Sequence, residues 1–398
     1  MTRRRLPLLL ASLFALTAAV STAATSATAA SRVPTSRPPT SPNPGLDNFL
    51  SGVSAISGSD VWAVGYDGDI NAGTFDTLIL HWNGTTWQQV TSPNPSATTN
   101  QLYGVSAASS TDVWAAGAYA STSGNTTLIE HWNGTNWVKK SPPNPTGGNN
   151  VLYGVSADSS TDAWAVGLYY NVNTAVYSTL TLHWNGTSWK KVTSPNLPGA
   201  TENTLRGVTA FSSTDAWAAG SSVDGSGVDH TLILHWNGTT WTRVASTPNP
   251  GTTYNKLFGI SEASANDVWA VGWYDQSGLF DSLALHWNGV SWKQVKSPNP
   301  TGTTGRFLQG VDARTSSDVW SAGSVLVPPT QYQTFTIHWT GTKWSRIASP
   351  NPSSSNDALF GVSADSSTDA WSVGYAVDGG GHYVTLALRW NGTSWSVT

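Results

Sequence analysis

The stretch LHWNGTTW stands at Leu80 to Trp87 and again, unchanged, at Leu234 to Trp241. Two tryptophans five apart flank Asn-Gly, the dipeptide that most readily supplies the positive φ angles of a tight hairpin loop. Close variants begin at His131, His183, His286, His338 and Arg389, so the chain carries seven copies of one hairpin. The repeat decides the fold.

Working outward, a D-x-W landmark precedes each hairpin, at Asp60/Trp62, Asp112/Trp114, Asp162/Trp164, Asp215/Trp217, Asp267/Trp269, Asp318/Trp320 and Asp369/Trp371, with successive landmarks 50 to 53 residues apart. Each repeat reads as four strands, L-x-G-V-S-A, D-V-W-A-V-G, T-L-I-L-H-W and W-x-x-V, with alternation and turn punctuation supporting each. Four short strands every 50 residues or so predict an all-β chain, a seven-bladed β-propeller of four-stranded antiparallel blades. Of 22 tryptophans, 21 fall at three positions per repeat and are expected to pack between blades; Trp273 alone lies outside the pattern. A glycine in every first strand (Gly52, Gly104, Gly154, Gly207, Gly259, Gly310, Gly361) fits strands crowded at an axis.

Ser-Pro-Asn-Pro or a variant follows every hairpin except the last, and an extra copy stands at Ser41 to Pro44. The count balances only if the two ends of the chain meet, with 33–44 closing the ring beside the last strand. The expected organisation is an export signal over 1–30, an extended leader over 31–40, and one propeller domain over 41–398. Its blades run approximately 45–95, 96–145, 146–198, 199–250, 251–300, 301–352 and 353–398.

The signal reading rests on Arg3, Arg4 and Arg5, an apolar run and small residues ending at Ala27-Thr28-Ala29-Ala30. Thr2 to Leu6 weakly resembles a twin-arginine signal. No later apolar run is long enough to span a bilayer, so the expected location is extracellular, and a monomer is expected. Removing three arginines moves the balance from −4 to −7, 16 basic against 23 acidic residues, which argues against nucleic acid as a partner. The chain has no cysteine, and a domain this long buries enough core to do without disulfides.

The chain resembles the secreted bacterial β-propellers of the Asp-box (BNR) and kelch-like kind through hairpins ending G-x-T-W, as in Gly84-Thr85-Thr86-Trp87 and Gly238-Thr239-Thr240-Trp241. Where the Asp-box has Asp, this chain has Trp82, Trp132, Trp184, Trp236, Trp287, Trp339 and Trp390, and kelch-type Gly-Gly pairs are missing. The resemblance implies the fold and not an activity.

Strand order puts the near-identical hairpins at one end of the ring and the variable loops at the other, which makes the variable end the expected functional face. The repeated Asp of D-x-W reads as a turn residue bonding its own backbone, and the repeated His as packing or a local hydrogen bond. Near the axis, two residues before each first-strand Leu, stand Asn48, Asn100, Asn150, Asn203 and Asn255, then Arg306 and Asp357. They read either as a ring of groups around a channel mouth, suited to hydroxyl-rich ligands, or as loop caps. Tyr66, Tyr119, Tyr169, Tyr170, Trp273, Tyr274 and Tyr375, after the second-strand glycine, are sugar-platform candidates or blade-edge covers. Tyr103, Tyr153, Arg206, Phe258 and Phe360, before the first-strand glycine, are expected along the channel. No metal site is expected, although Asp67, Asp69 and Asn71 resemble the opening of a calcium loop that lacks its Gly and Glu.

The favoured reading is a secreted, non-catalytic, lectin-like propeller binding polysaccharide or a cell-surface glycan, with several equivalent clefts adding by avidity and no cofactor. The alternative is a glycoside hydrolase or polysaccharide lyase over the channel, with Asp357, Arg306, Asp67, Asp69 and Asp275 as catalytic candidates. A sialidase is disfavoured because only Arg206 and Arg306 lie near inner strands. A structural or protein-binding scaffold is the third reading.

Overall fold

The computed structural model describes residues 41–145 and 148–398; the expected export signal and leader lie outside them. The described residues form strands and no helix. The first unit consists of Asp47–Ser57, Asp60–Asp69, Thr74–Trp82 and Trp87–Gln89, paired antiparallel in chain order. Six further four-strand meanders follow, the last being Asp357–Ser366, Asp369–Val377, Tyr383–Trp390 and Trp395–Val397. Three sheets have four strands and two have eight. Each eight-stranded sheet is a pair of meanders joined at one parallel bridge, Tyr177 to Glu202 or Phe280 to Gly305.

The hairpin that repeats is a four-residue loop. Trp82 pairs with Trp87, Gly84 has φ +93°, and Asn83 keeps a negative φ while its Oδ1 accepts the N–H groups of Thr85 and Thr86 at 3.0 Å each. The glycine thus supplies the left-handed conformation and the asparagine supplies the cap, a division of labour that differs from the expected Asn-Gly turn.

Behind the loop, the repeated Asp and His are partners of one another. His81 Nε2 lies 2.8 Å from Asp60 Oδ1, and the imidazole stacks on Trp62 with centroids 4.2 Å apart. The Asp therefore bonds the His and does not serve the backbone two residues on. Arg389, in the His position of the seventh unit, keeps both contacts: Nε and NH2 donate to the Asp369 carboxylate, and the guanidinium lies 4.9 Å from the Trp371 ring.

These tryptophans join the units. Trp62 packs on Trp132 and Trp137 of the second unit, at 5.0 and 5.4 Å, and the same contact recurs along the chain. It ends where it began, with Trp371 of the last unit on Trp82 and Trp87 of the first, at 5.1 and 5.4 Å. Each hydrophobic cluster draws on two neighbouring units, so the core lies between units and not within them. The indole N–H groups of Trp62 and Trp137 are buried without an acceptor. Their near-perpendicular packing, 78°, is the geometry in which an N–H can rest on a ring face.

At the inner edge the first-strand glycines meet. A Cβ on Gly104 would come within 2.9 Å of the Tyr153 carbonyl oxygen, and one on Gly361 within 3.1 Å of Val53 N, so the last inner strand lies against the first. Side chains tie the same strands together: Ala107 N–H donates to Ser54 Oγ, Ala157 to Ser106, Ala313 to Ser261, Ala364 to Asp312 and Ala55 to Ser363.

The fourth strands are short because Ser-Pro-Asn-Pro cannot extend a ladder. That leaves the start of each third strand as a bare edge, which the Asn covers. Thr77 N–H donates to Asn94 Oδ1 at 2.7 Å, and Thr231 to Asn249 at 2.7 Å. In the last unit Thr385 N–H donates to Asn43 at 2.6 Å, while the Ser41 and Thr385 hydroxyls are 2.7 Å apart. The described part of the closing segment, 41–44, lies on the third strand of the last unit, not beside its fourth.

Two acids break the repeat, one where the other units carry Leu or Ile and one where they carry Ala. Glu130 is wholly buried between the first and second units, and burial pushes its carboxyl up to about 8 against the pull of Lys139. Glu262 replaces the alanine of the inner hydrogen-bonded position, and burial together with Asp215 pushes it up to about 8 as well. The folded chain holds both protons more tightly than the unfolded chain. Their contribution to stability is therefore complete below about 4.5 and is lost as pH rises through about 8. Glu130→Leu and Glu262→Ala are expected to flatten the fall in melting temperature between pH 5.5 and 8.5. Asn43→Ala, which leaves the Thr385 N–H without its acceptor, is expected to cost about 1–3 kcal/mol in urea titrations with an unchanged m-value.

Candidate functional site

In each first strand the residue before the inner glycine has no cross-strand partner. At Tyr103, Tyr153, Arg206 and Phe258 the register jumps by one. A bulge re-aims its side chain. Here the bulged residues of successive units touch one another: Tyr103 and Tyr153 have ring centroids 5.4 Å apart, and the Arg206 guanidinium lies 4.9 Å from the Tyr153 ring and 4.9 Å from the Phe258 ring. The result is an arc of rings around one cation across four units. Ser51, Gln309 and Phe360 hold the corresponding bulges of the other three, and Phe360 packs on Tyr375 at 5.7 Å.

The arc continues outward through Phe258 to Trp273, whose rings are near parallel at 6.3 Å. Trp273 is part-exposed and is braced edge-on by Phe280 at 5.2 Å and by Phe307 of the next unit at 5.6 Å. Tyr254 stands 6.1 Å from it and is 39% exposed. Lys256, directly opposite Trp273 in the ladder, lies 5.8 Å from its ring and 3.3 Å from Asp229. The Tyr254 loop is fixed by Asp275, which accepts the N–H groups of Thr253 and Tyr254 and the hydroxyl of Thr252. Burial pushes the Asp275 carboxyl up, but these hydrogen bonds outweigh it and hold the group below its usual range. Tyr254, Lys256 and Phe280 were not singled out from the sequence. The density of aromatics between residues 254 and 280 is the signal that points to them.

The amide series is buried throughout. Asn48 is spent on Gly45 and the Tyr383 carbonyl, Asn100 on Ser96 and the Phe75 carbonyl, Asn150 on the Pro145 carbonyl, Asn203 on Leu197 and Tyr177, and Asn255 on Gly251 and Asp229. Asn48, Asn100, Asn203 and Asn255 clamp the incoming linker to the preceding unit, because a side chain at the strand entrance lies within reach of both backbones, while Asn150 holds its own linker. Asp357 accepts the Ser353 N–H in the same way. Arg306 does not pair with Asp357. It donates to Asp281 of the preceding unit at 2.6 Å and to the Pro300 and Thr303 carbonyls.

Tyr66, Tyr274 and Tyr375 are buried as well. Tyr119 and Tyr169 keep partial exposure, but Lys139 and Lys191 cover their faces at 4.8 and 4.1 Å.

Asp69 accepts the N–H groups of Asn71 and Ala72 and so caps its own loop. Asp67 faces Asp76 across the ladder, and burial together with that neighbour pushes its carboxyl up to about 6. Among the described residues no group of three His, Cys, Asp or Glu is placed to hold a metal ion, and no helix is long and apolar enough to cross a membrane.

Comparison with solved structures agrees with this architecture. YCF48 from Cyanidioschyzon merolae superposes with a TM-score of 0.54 at 15% identity, over 88% of this chain and 98% of that one. The β-propeller domain of the trilobed protease from Pyrococcus furiosus, described as having an open velcro topology, gives 0.53 at 8% identity over 88% and 95%. The chain folds as a β-propeller. An acylaminoacyl peptidase from Pyrococcus horikoshii matches over 88% of this chain but only 52% of its own, with a TM-score of 0.52 at 8% identity. At such identities the likeness is one of fold. No protein-family model and no curated protein matches the propeller's sequence.

Because Arg306 and Asn100 are clamps, their loss is expected to appear first as instability. Arg306→Ala leaves the part-buried Asp281 without its cation and the Pro300 and Thr303 carbonyls without their donor, and is expected to cost about 1–3 kcal/mol. Asn100→Ala is expected to cost about 1–3 kcal/mol, both read from chemical denaturation.

Proposed function

We propose that this chain is an exported, seven-bladed propeller, each meander one blade, that binds carbohydrate at a single aromatic sector on the fifth blade without turning it over. The observation that carries the reading is Trp273. It is the one tryptophan outside the packing pattern, part of its surface is open, and the Phe280 and Phe307 edges hold it still. A rigid ring of this kind stacks on the C–H face of a sugar at little entropic cost, while neighbouring polar groups fix orientation. Thr252, Lys256 and Asp275 supply those groups. The other blades place small or buried residues at the Trp273 position, so the expected stoichiometry is one site per chain, in place of several equivalent clefts.

A second reading draws on the Asp67–Asp76 pair. Two neighbouring carboxyl groups, one of them raised to about 6, are what an acid and base pair for glycoside cleavage uses.

Both readings are separated by one set of incubations with a polysaccharide panel. Retention without new reducing or unsaturated ends is expected, with Trp273→Ala weakening retention about tenfold or more in a chain that still unfolds cooperatively well above the assay temperature. Product formation that Asp67→Asn abolishes would favour the enzyme, and failure to retain any polysaccharide would sink the binding reading.

A further inference from the structure

Arg206 is distinguished from three other arginines of the domain by what it lacks. Arg306 is bound to Asp281 at 2.6 Å, Arg314 to Asp318 at 2.8 Å and Arg389 to Asp369 at 2.8 Å. Arg206 has no carboxylate within ion-pair distance among the described residues, and its Nε is buried with no acceptor. Asp229, whose carboxyl feels the Arg206 charge only weakly, is ion-paired with Lys256 at 3.3 Å.

The guanidinium is nonetheless fixed, because Tyr153 and Phe258 grip it from two different blades at 4.9 Å each. Holding a cation between ring faces compensates its charge in part while leaving its in-plane donors unused. A partly exposed, immobilised guanidinium with free donors suits a planar anion that can accept two parallel hydrogen bonds, and a carboxylate has that shape.

We propose that Arg206 receives the carboxylate of an acidic sugar, so that the glycan recognised is one containing uronic acid. The inference rests on the carbohydrate reading and narrows it. Phe258 touches both Arg206 and Trp273, so the anion site and the stacking platform adjoin on one surface. An oligosaccharide lying across Phe258 can present a carboxylate to Arg206 and an apolar ring face to Trp273.

The test uses the folded chain, a galacturonic acid trimer and the same trimer with its carboxyl groups reduced to hydroxymethyl, titrated by calorimetry. The acidic trimer is expected to bind at least about tenfold more tightly than the reduced one, with a preference that shrinks as salt is raised. Arg206→Gln is expected to remove that preference while leaving the reduced trimer's affinity within about twofold. Trp273→Ala is expected to weaken both trimers alike.

Arg206→Lys guards against a folding defect in the glutamine variant. It keeps charge and stem between the rings but loses the two-pronged donor, and its preference is expected to fall between the two. Equal binding of both trimers by the unaltered chain, or a preference surviving in Arg206→Gln, overturns the carboxylate site and leaves the carbohydrate reading standing. Binding of neither trimer overturns the carboxylate site, and the polysaccharide panel then decides the broader reading separately.

Discussion

The interaction on which everything else depends is a ring-on-ring contact between neighbouring units, repeated until it closes. One indole from each second strand is received by two from the next unit, and the last is received by the first. Around it lie the His–Asp pairs that orient the indole, and inside it lie glycines whose missing side chains let the inner strands approach. A single four-stranded sheet has no interior of its own. It becomes stable by lending one face to each neighbour, which is why the same three tryptophans recur at a fixed spacing.

Much of this was legible because a seven-fold repeat averages away local ambiguity. The D-x-W landmark, the hairpin and the glycine gave strand positions that the structure reproduces closely, and the surplus Ser-Pro-Asn-Pro at Ser41 is the segment whose Asn43 serves Thr385 of the last unit. Partners were harder to read than positions. Asp60 meets His81 across 21 residues, and Arg306 meets Asp281 rather than its counterpart at Asp357, since pairing depends on which unit a side chain leans toward. The amide series illustrates the same limit. Its spacing placed it at the strand entrances, but spacing alone does not show that the linker backbone already takes up those amides.

The residues that depart from the repeat sort into two kinds. Glu130 and Glu262 are departures within the packed wall, and their effect is on how the fold responds to acidity. Trp273, Tyr254, Phe258 and Arg206 are departures on the fourth and fifth units, and they form one chain of contacts. Clustering separates the two kinds: scattered exceptions alter stability, while adjoining ones build a surface. Tyr66 and Tyr375 show why residue type alone is not enough, for they are aromatic, share the strand position of Trp273, and are buried between blades.

Placing the hydrophobic clusters between units has a consequence for any incomplete ring. A partial array ends in two different apolar faces, one offering the second-strand indole and the other the pair that receives it. Those faces are complementary to each other and cannot pair with themselves, so two unfinished arrays meet head to tail. Ring completion therefore acts as a termination step: once Trp371 reaches Trp82, no face remains on which another copy can be added.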